Sequence, residues 1–333
     1  MKNVIMDGTG AYIPKNKVYN DELELHFNKR GLTAKSLMRH LGRDKRYFIS
    51  EGENAITMCR SAIDDCMTKN GFQLSDYEML VICTDTPEYL TPTNAIRVAG
   101  LYGDEMKNIK VALDMNSNCT GMVMGVDFVS EYMKSKNIHK ALVVGVFCVS
   151  PIAVWSDTVV YATMGDAAAC VSLTMEESTV KRGVIDSEVE VDARYHGFVQ
   201  YPKCGMAKAP LLAVMPNEKR LEWNPFDMDF ISQKVVDIIT KVLDKNSLTA
   251  DDIDCYVFSQ LSDAYNAESL RILGVDPNSD RYYFVGTEYG YTGNTCPFMC
   301  LNKHWKSIAK PGHKVMFCTY GSGYSLIAQL YQF

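Results

Sequence analysis

The chain has 333 residues, of which 47% are apolar and 22% charged, with a formal net charge of -6. That length allows a large core and either two domains or one fused pair. The acidic balance argues against nucleic acid as the main partner, because phosphate binding needs a positive field, and leaves room for a local basic patch that docks an acidic partner; no apolar run is long enough to span a membrane.

The N-terminal stretch MKNVIMDGTGAYIP meets a glycine early and lacks a cleavable apolar core. No signal peptide is expected there, and the sequence predicts a cytoplasmic protein. A basic excursion follows between Leu32 and Phe48. ENAITMCRSAIDDCMTKNG (53–71) then repeats apolar residues at helical spacing and stops at Gly71. YEMLVICTD (77–85) reads as a buried strand, and VALDMNSNCTGM (111–122) as a strand ending in a tight turn. KALVVGV (140–146) and GDAAACVSLTM (165–175) supply two more strands.

From Glu177 to Asn224 the pattern breaks. Six glycines and prolines predict loops and short strands that link two halves and cover the site. A helix is expected over MDFISQKVVDIITKVLDKN (228–246). IDCYVFSQ (253–260), YYFVGTEYGYTGNT (282–295), HKVMFCTYG (313–321) and GSGYSLIAQLYQF (321–333) then repeat the four strand phrases of the first half in the same order. The duplication predicts two similar halves with mostly parallel sheets covered by helices. The halves are residues 1–176 and 225–333, with 177–224 as the loop-rich linker and cover.

Eleven cysteines are scattered without a CxxC pair. A zinc ribbon or thioredoxin-type site is not expected, and the odd count suits reduced, mostly buried thiols. Cys119 stands apart. Val111 to Met115 form a strand, Asn116 to Asn118 are turn and cap residues, and Met122, Val126 and Val129 begin a helix. Cys119 therefore sits beside a helix N-terminus, where the dipole is expected to lower the thiol pKa. Taken alone, the residue is equally readable as a small buried group closing a turn.

Six phrases, TGAYIPKNKVYNDEL (9–23), TDTPEYLTPTNA (84–95), DMNSNCTGM, MGDAAACVSL (164–173), YGYTGNT (289–295) and YGSGYSLIAQLYQF (320–333), make the chain resemble β-ketoacyl-ACP synthase III of the thiolase superfamily. The resemblance runs from end to end. It implies an α/β thiolase-like fold of two duplicated βαβαβαββ halves in a five-layered α-β-α-β-α core. It implies that Cys119 attacks an acyl thioester and holds the acyl group. The backbone N–H groups of Cys119 and Ser322 would form the oxyanion hole. Asn294 would donate to the thioester carbonyl of the second substrate. No bound cofactor or metal is implied; acyl-CoA or acyl-carrier-protein thioesters are the substrates. A homodimer is implied, with residues 84–95 reaching the partner, and a heterodimer stays open.

One departure bears on mechanism. Where the family places its catalytic histidine, this chain reads VFSQLSDAYN, with Ser259 at that position. A serine hydroxyl donates one hydrogen bond but is a poor acid or base near neutral pH. Of the six histidines, His196 in the covering segment is the one a loop could fold over the pocket. The family's tunnel-mouth tryptophan is also missing. SLMRHLGRDKRYFI (36–49) keeps Arg39, Arg43, Lys45 and Arg46, which suit an acidic carrier or a phosphopantetheine phosphate as well as they suit a solvated basic loop. Thr91, where the family often has a bulkier residue, predicts a longer acyl tunnel.

Three functions follow. The first is decarboxylative condensation with a malonyl thioester, in specialised biosynthesis of the fatty-acid or polyketide type. The second is acyl transfer to oxygen, nitrogen or sulfur without decarboxylation. The third is a non-catalytic partner subunit.

Overall fold

A computed structural model describes residues 1–224 and 226–333. Residue 225, at the start of the expected C-terminal half, lies outside the described residues. Nine strands form the main sheet: β1 (Lys2–Tyr12), β2 (Met79–Cys83), β3 (Val111–Met115), β4 (Lys140–Phe147), β5 (Ala167–Glu177), β6 (Gly183–Val191), β7 (Cys255–Phe258), β8 (Lys314–Gly321) and β9 (Ser325–Gln332). Their order across the sheet is β7-β8-β9-β6-β1-β5-β4-β2-β3.

That order is a duplication. In the first half β1 pairs antiparallel with β5, β5 antiparallel with β4, β4 parallel with β2, and β2 parallel with β3. In the second half β6, β9, β8 and β7 repeat the first three pairings. A parallel bridge from Tyr256 to Tyr282 stands where β2 meets β3. The halves join along one seam, where Val4 pairs with Gly183.

The helices occupy matching places. They are α1 (Ala55–Asn70), α2 (Asn94–Tyr102), α3 (Gly121–Lys136), α4 (Ile231–Lys245), α5 (Asp263–Ile272) and α6 (Cys296–Lys303). The start of α1 is fixed by Asn54, whose side chain accepts from the backbone of Ile56 and Thr57, and its end by Gly71 at φ 67°. Apolar residues of α3 and α6 pack with the inner faces of both half-sheets, for example Val126 and Phe298 with Val81, Val171, Val257 and Phe317. The other face of the first half-sheet packs on α1 and α2, and that of the second on α4 and α5. The result is the five-layered α-β-α-β-α arrangement that the resemblance implied. The middle layer explains why β4, KALVVGVF, is apolar almost throughout: both of its faces are covered.

The stretch read as loops and short strands contains β6, which opens the second half-sheet, so the strand symmetry begins at Gly183. Its sequence GVIDSEVEV alternates acidic and apolar residues and is half-buried, unlike the apolar runs that revealed the other strands. Gly183 itself has φ +83°, and a side chain there would lie 2.1 Å from the Val4 carbonyl oxygen. Gly183→Ala is therefore expected to strain the seam and cost about 2 kcal/mol or more, read as a lower urea midpoint with an unchanged slope.

Candidate active site

The site lies where the carboxyl ends of strands from both halves meet. β2 and β3 run side by side and finish together, Cys83 opposite Met115. After Cys83 the chain continues as Thr84, Asp85 and Thr86, held by a bond from Thr84 N to Met115 O at 3.0 Å. After Met115 it reverses at Asn118, which takes the left-handed φ of 48° that asparagine tolerates better than most residues. A 3₁₀ turn, Asn118–Thr120, then presents Cys119 just before α3. The Thr120 hydroxyl closes the turn on Ser117 O at 2.6 Å.

The second half supplies the opposite wall. β8 ends at Gly321, where a side chain would lie 3.1 Å from the Cys119 backbone nitrogen. A side chain there would be tighter than nearly all ordinary contacts and would push the two turns apart by a few tenths of an ångström. Asn118 Nδ2 donates to Ser322 O at 3.0 Å, which locks the two turns together. The Ser322 backbone N–H then points at the Cys119 thiol. Tyr291 reaches the thiol with its hydroxyl. Its backbone is pinned by Tyr291 N to Thr163 O at 3.0 Å and Gly165 N to Tyr291 O at 2.9 Å.

Cys119 and Ser322 open on one cavity, with Asp85, Tyr291, Tyr320 and a largely aromatic wall that includes Phe147, Trp223 and Phe230. Val199–Gln200 and Glu222–Trp223 pair as a short ribbon, and residues of both strands line the cavity from the covering segment. The thiol differs from the expectation of a lowered pKa. Burial pushes it well above its ordinary value, the nearby Asp85 charge pushes it further, and the bonds from Tyr291 and Ser322 only partly offset this. Cys119 is partly exposed at the cavity, but the protein packed around it and the Asp85 charge outweigh the local dipole, and among the described residues that line the cavity none is a cation.

Ser259 and Asn294 are not among the residues that line the cavity. Asn294 is fully buried and outside the cavity lining; its amide donates to Val146 O at 3.2 Å, and its Oδ1 has no partner. Ser259 is also buried, and its hydroxyl faces Cys296 and Tyr320 without a hydrogen-bond partner. Ser262, at the family asparagine position of that phrase, caps α5 through Tyr265 N. Among the described residues no histidine lines the cavity, and His196 is exposed on its loop.

The basic loop also differs from expectation. Arg43 is buried and donates to the carbonyls of Leu41, Thr163, Gln260 and Leu261. Arg46 is buried and donates to Asn20 Oδ1 at 2.7 Å and to Ala162 O. Both are internal struts, because each finds carbonyl oxygens that sequence spacing cannot reveal. Arg39 stays exposed, but it lines a separate surface depression. Thr91 is exposed and does not reach the cavity. Sequence reasoning missed Asp85, Tyr291 and Tyr320. The only signals were an aspartate directly after an apolar strand run and a tyrosine in the glycine-flanked phrase GYTG. No group of three or more potential metal ligands occurs among the described residues.

Comparison with known proteins bears on the family and the fold. The family profile for 3-oxoacyl-(acyl-carrier-protein) synthase III matches residues 113–193, and the profile for its C-terminal region matches residues 243–333. Together they span just over half of the chain. A β-ketoacyl-(acyl-carrier-protein) synthase III from Clostridium novyi (strain NT) is 27% identical, with the alignment covering 100% of this chain and 99% of the relative. The crystal structure of 3-oxoacyl-(acyl-carrier-protein) synthase III from Aquifex aeolicus VF5 superposes with a TM-score of 0.85 at 18% identity, covering 100% of both chains. The priming β-ketosynthase from the R1128 polyketide biosynthetic pathway gives a TM-score of 0.85 at 19% identity, over 99% of this chain and 96% of that one. The fold and these matches define a thiolase-like condensing enzyme. Within that class the chain belongs to the 3-oxoacyl-(acyl-carrier-protein) synthase III family.

Two stability predictions follow from the buried charges. Arg43→Ala leaves four carbonyls without their donor and is expected to cost at least about 3 kcal/mol, whereas Arg39→Ala is expected to leave the thermal midpoint unchanged. Asp85 is raised by burial from 3.8 to about 6. Its charge therefore opposes folding above that pH, while in the unfolded chain it ionises freely. Asp85→Asn is expected to stabilise the protein by up to ~3 kcal/mol at pH 7, with the gain vanishing as pH falls towards 4, measured by denaturant titration at each pH.

Proposed function

We propose that the protein is an acyltransferase of the β-ketoacyl-ACP synthase III type, in which Cys119 takes the acyl group from a CoA or carrier-protein thioester and holds it for a second substrate. The observation that carries this reading is the pairing at the cavity of the Cys119 turn with the Ser322 N–H. As the thiol sulfur attacks, negative charge develops on the carbonyl oxygen. The backbone N–H groups of Cys119 and Ser322 are the donors available to stabilise it, and such fixed donors are worth roughly 3–4 kcal/mol in comparable acyl transfers. The aromatic wall supports an apolar acyl group. All eleven cysteines are free, which suits a reducing compartment.

Condensation with a malonyl thioester is the first form of the second step, in specialised biosynthesis of the fatty-acid or polyketide type. Transfer without decarboxylation is the second form, and two observations favour it. Ser259 does not line the cavity, and among the described residues no histidine does. The Asp85 carboxylate beside Cys119 would also repel the carboxylate of a malonyl group in a site of low dielectric. Two copies of the chain would form the working dimer, a reading supported by exposed Leu90 and Ile96 in and next to the 84–95 segment.

Intact-protein mass spectrometry tests the reading. Wild type exposed to a panel of acyl-CoA and acyl-carrier thioesters is expected to gain one acyl mass, and Cys119→Ala none. A gain that survives in Cys119→Ala would place the nucleophile elsewhere. Added malonyl thioester separates the two second steps: discharge with release of carbon dioxide indicates condensation, and persistence of the acyl group indicates transfer to another acceptor. Ser259→His is expected to leave malonyl decarboxylation unchanged, because that position does not open on the cavity; a gain of ten-fold or more would mean that the wall moves during turnover.

A further inference from the structure

Asp85 is the only charged side chain among the described residues that line the cavity. Its Oδ1 is sealed from solvent and has no hydrogen-bond partner, and the one bond its carboxylate accepts comes from its own backbone N–H. No cation offsets its charge. A carboxylate held in this state destabilises the fold, as the pH argument above shows, and it does so beside the proposed nucleophile. The chain brings it there by topology: it lies two residues beyond Cys83, the end of the strand whose parallel neighbour runs from Met115 into the Cys119 turn. Its charge is the first effect after burial that disfavours the Cys119 thiolate.

Burial keeps Cys119 a neutral thiol at rest. Its proton must go somewhere when the sulfur is acylated, and the sulfur must recover one when the acyl group leaves. Neither Ser259 nor any histidine is placed to do this. The tyrosines at the cavity, Tyr201, Tyr291, Tyr320 and Tyr324, are all raised by burial and hold their own protons through the neutral range, as does the nearby thiol of Cys148. We propose that Asp85 is the proton carrier of the acyl-transfer cycle, serving as general base towards Cys119 and the acceptor and as general acid towards the departing sulfur. This rests on the Cys119 reading above.

The steps balance. Asp85 and Cys119 share the cavity without a direct hydrogen bond, so in loading the Cys119 S–H proton passes through one intervening water to the Asp85 carboxylate as the sulfur bonds to the thioester carbonyl carbon. The bond from that carbon to the donor sulfur breaks, and Asp85 returns the proton to the donor thiolate. In unloading, Asp85 takes the proton of the acceptor as its heteroatom bonds to the acyl carbon. The bond to Cys119 sulfur breaks, and Asp85 gives that proton to the thiolate that burial disfavours. Asp85 ends each half-reaction as a carboxylate.

Thiol exchange tests this without knowledge of the natural acceptor. Wild type, Asp85→Asn and Asp85→Glu are compared for transfer of the acyl group from hexanoyl-CoA or benzoyl-CoA to N-acetylcysteamine, alongside the rate at which iodoacetamide alkylates Cys119. Asp85→Asn is expected to slow exchange at pH 7.5 by about 100-fold or more, and Asp85→Glu to restore part of it. Wild-type exchange is expected to fall as pH drops below about 6, a limb absent from Asp85→Asn. Alkylation of Cys119 is expected to slow together with exchange in Asp85→Asn, because both need the thiol proton removed, while the thermal midpoint is expected to be unchanged or raised. Exchange at the wild-type rate in Asp85→Asn would overturn the proposal, as would a lowered thermal midpoint in that variant, which would mean a structural role. A wild type that neither loads nor exchanges would overturn the Cys119 reading and this proposal with it, so the two failures are distinguishable.

Discussion

The backbone of Gly321 lies against the amide of Cys119, and this contact joins the two halves of the molecule at the one place where both contribute to chemistry. A Cβ at that position would crowd the Cys119 and Thr120 nitrogens. Without a side chain, the turn after β8 slides in far enough for the Ser322 N–H to face the thiol and for Asn118 to hold the Ser322 carbonyl. The approach in turn depends on the middle layer. α3 and α6 are gripped between two half-sheets, so the ends of β3 and β8 cannot shift independently. Close packing of this kind transmits small displacements, and the site inherits its rigidity from the core.

The same burial sets the electrostatics. Deep in a low-dielectric layer, every charge must be paired with dipoles or be driven towards neutrality. Arg43 and Arg46 take the first course, held mainly by carbonyl oxygens from segments far apart in sequence, although Arg46 Nε stays unpartnered. Arg43 thereby ties the basic loop of the first half to the residues just after β7. Asp85 and Cys119 take the second course, the carboxylate raised to about 6 and the thiol raised further. Stability and chemistry therefore pull against each other at the cavity, a tension common at sites that must move a proton.

Much of the architecture was legible. Apolar runs bounded by glycines, such as KALVVGV and HKVMFCTYG, became central strands because both of their faces are covered. Their repetition in order exposed the duplication. Cys119 was legible because a strand, three polar turn residues and a helix pattern surround it. β6 was not, since its acidic alternation resembles a surface segment until β9 and β1 are seen on either side. Ser259 and Asn294 were placed in the correct phrases, yet phrases do not say whether a side chain lines a cavity.

By itself the sequence determined what short-range pattern encodes: the strands and helices that carry the repeat, the thiolase-like class, and the cysteine in its turn. Tertiary structure alone decided which charged residues meet the cavity. Arg43, Arg46 and Asp85 look alike in sequence, as polar residues near an apolar run. Two become internal struts and one becomes the lone charge beside Cys119. The reason is physical. Burial and hydrogen-bond partners are properties of three-dimensional neighbours, and those neighbours come from segments up to about two hundred residues apart.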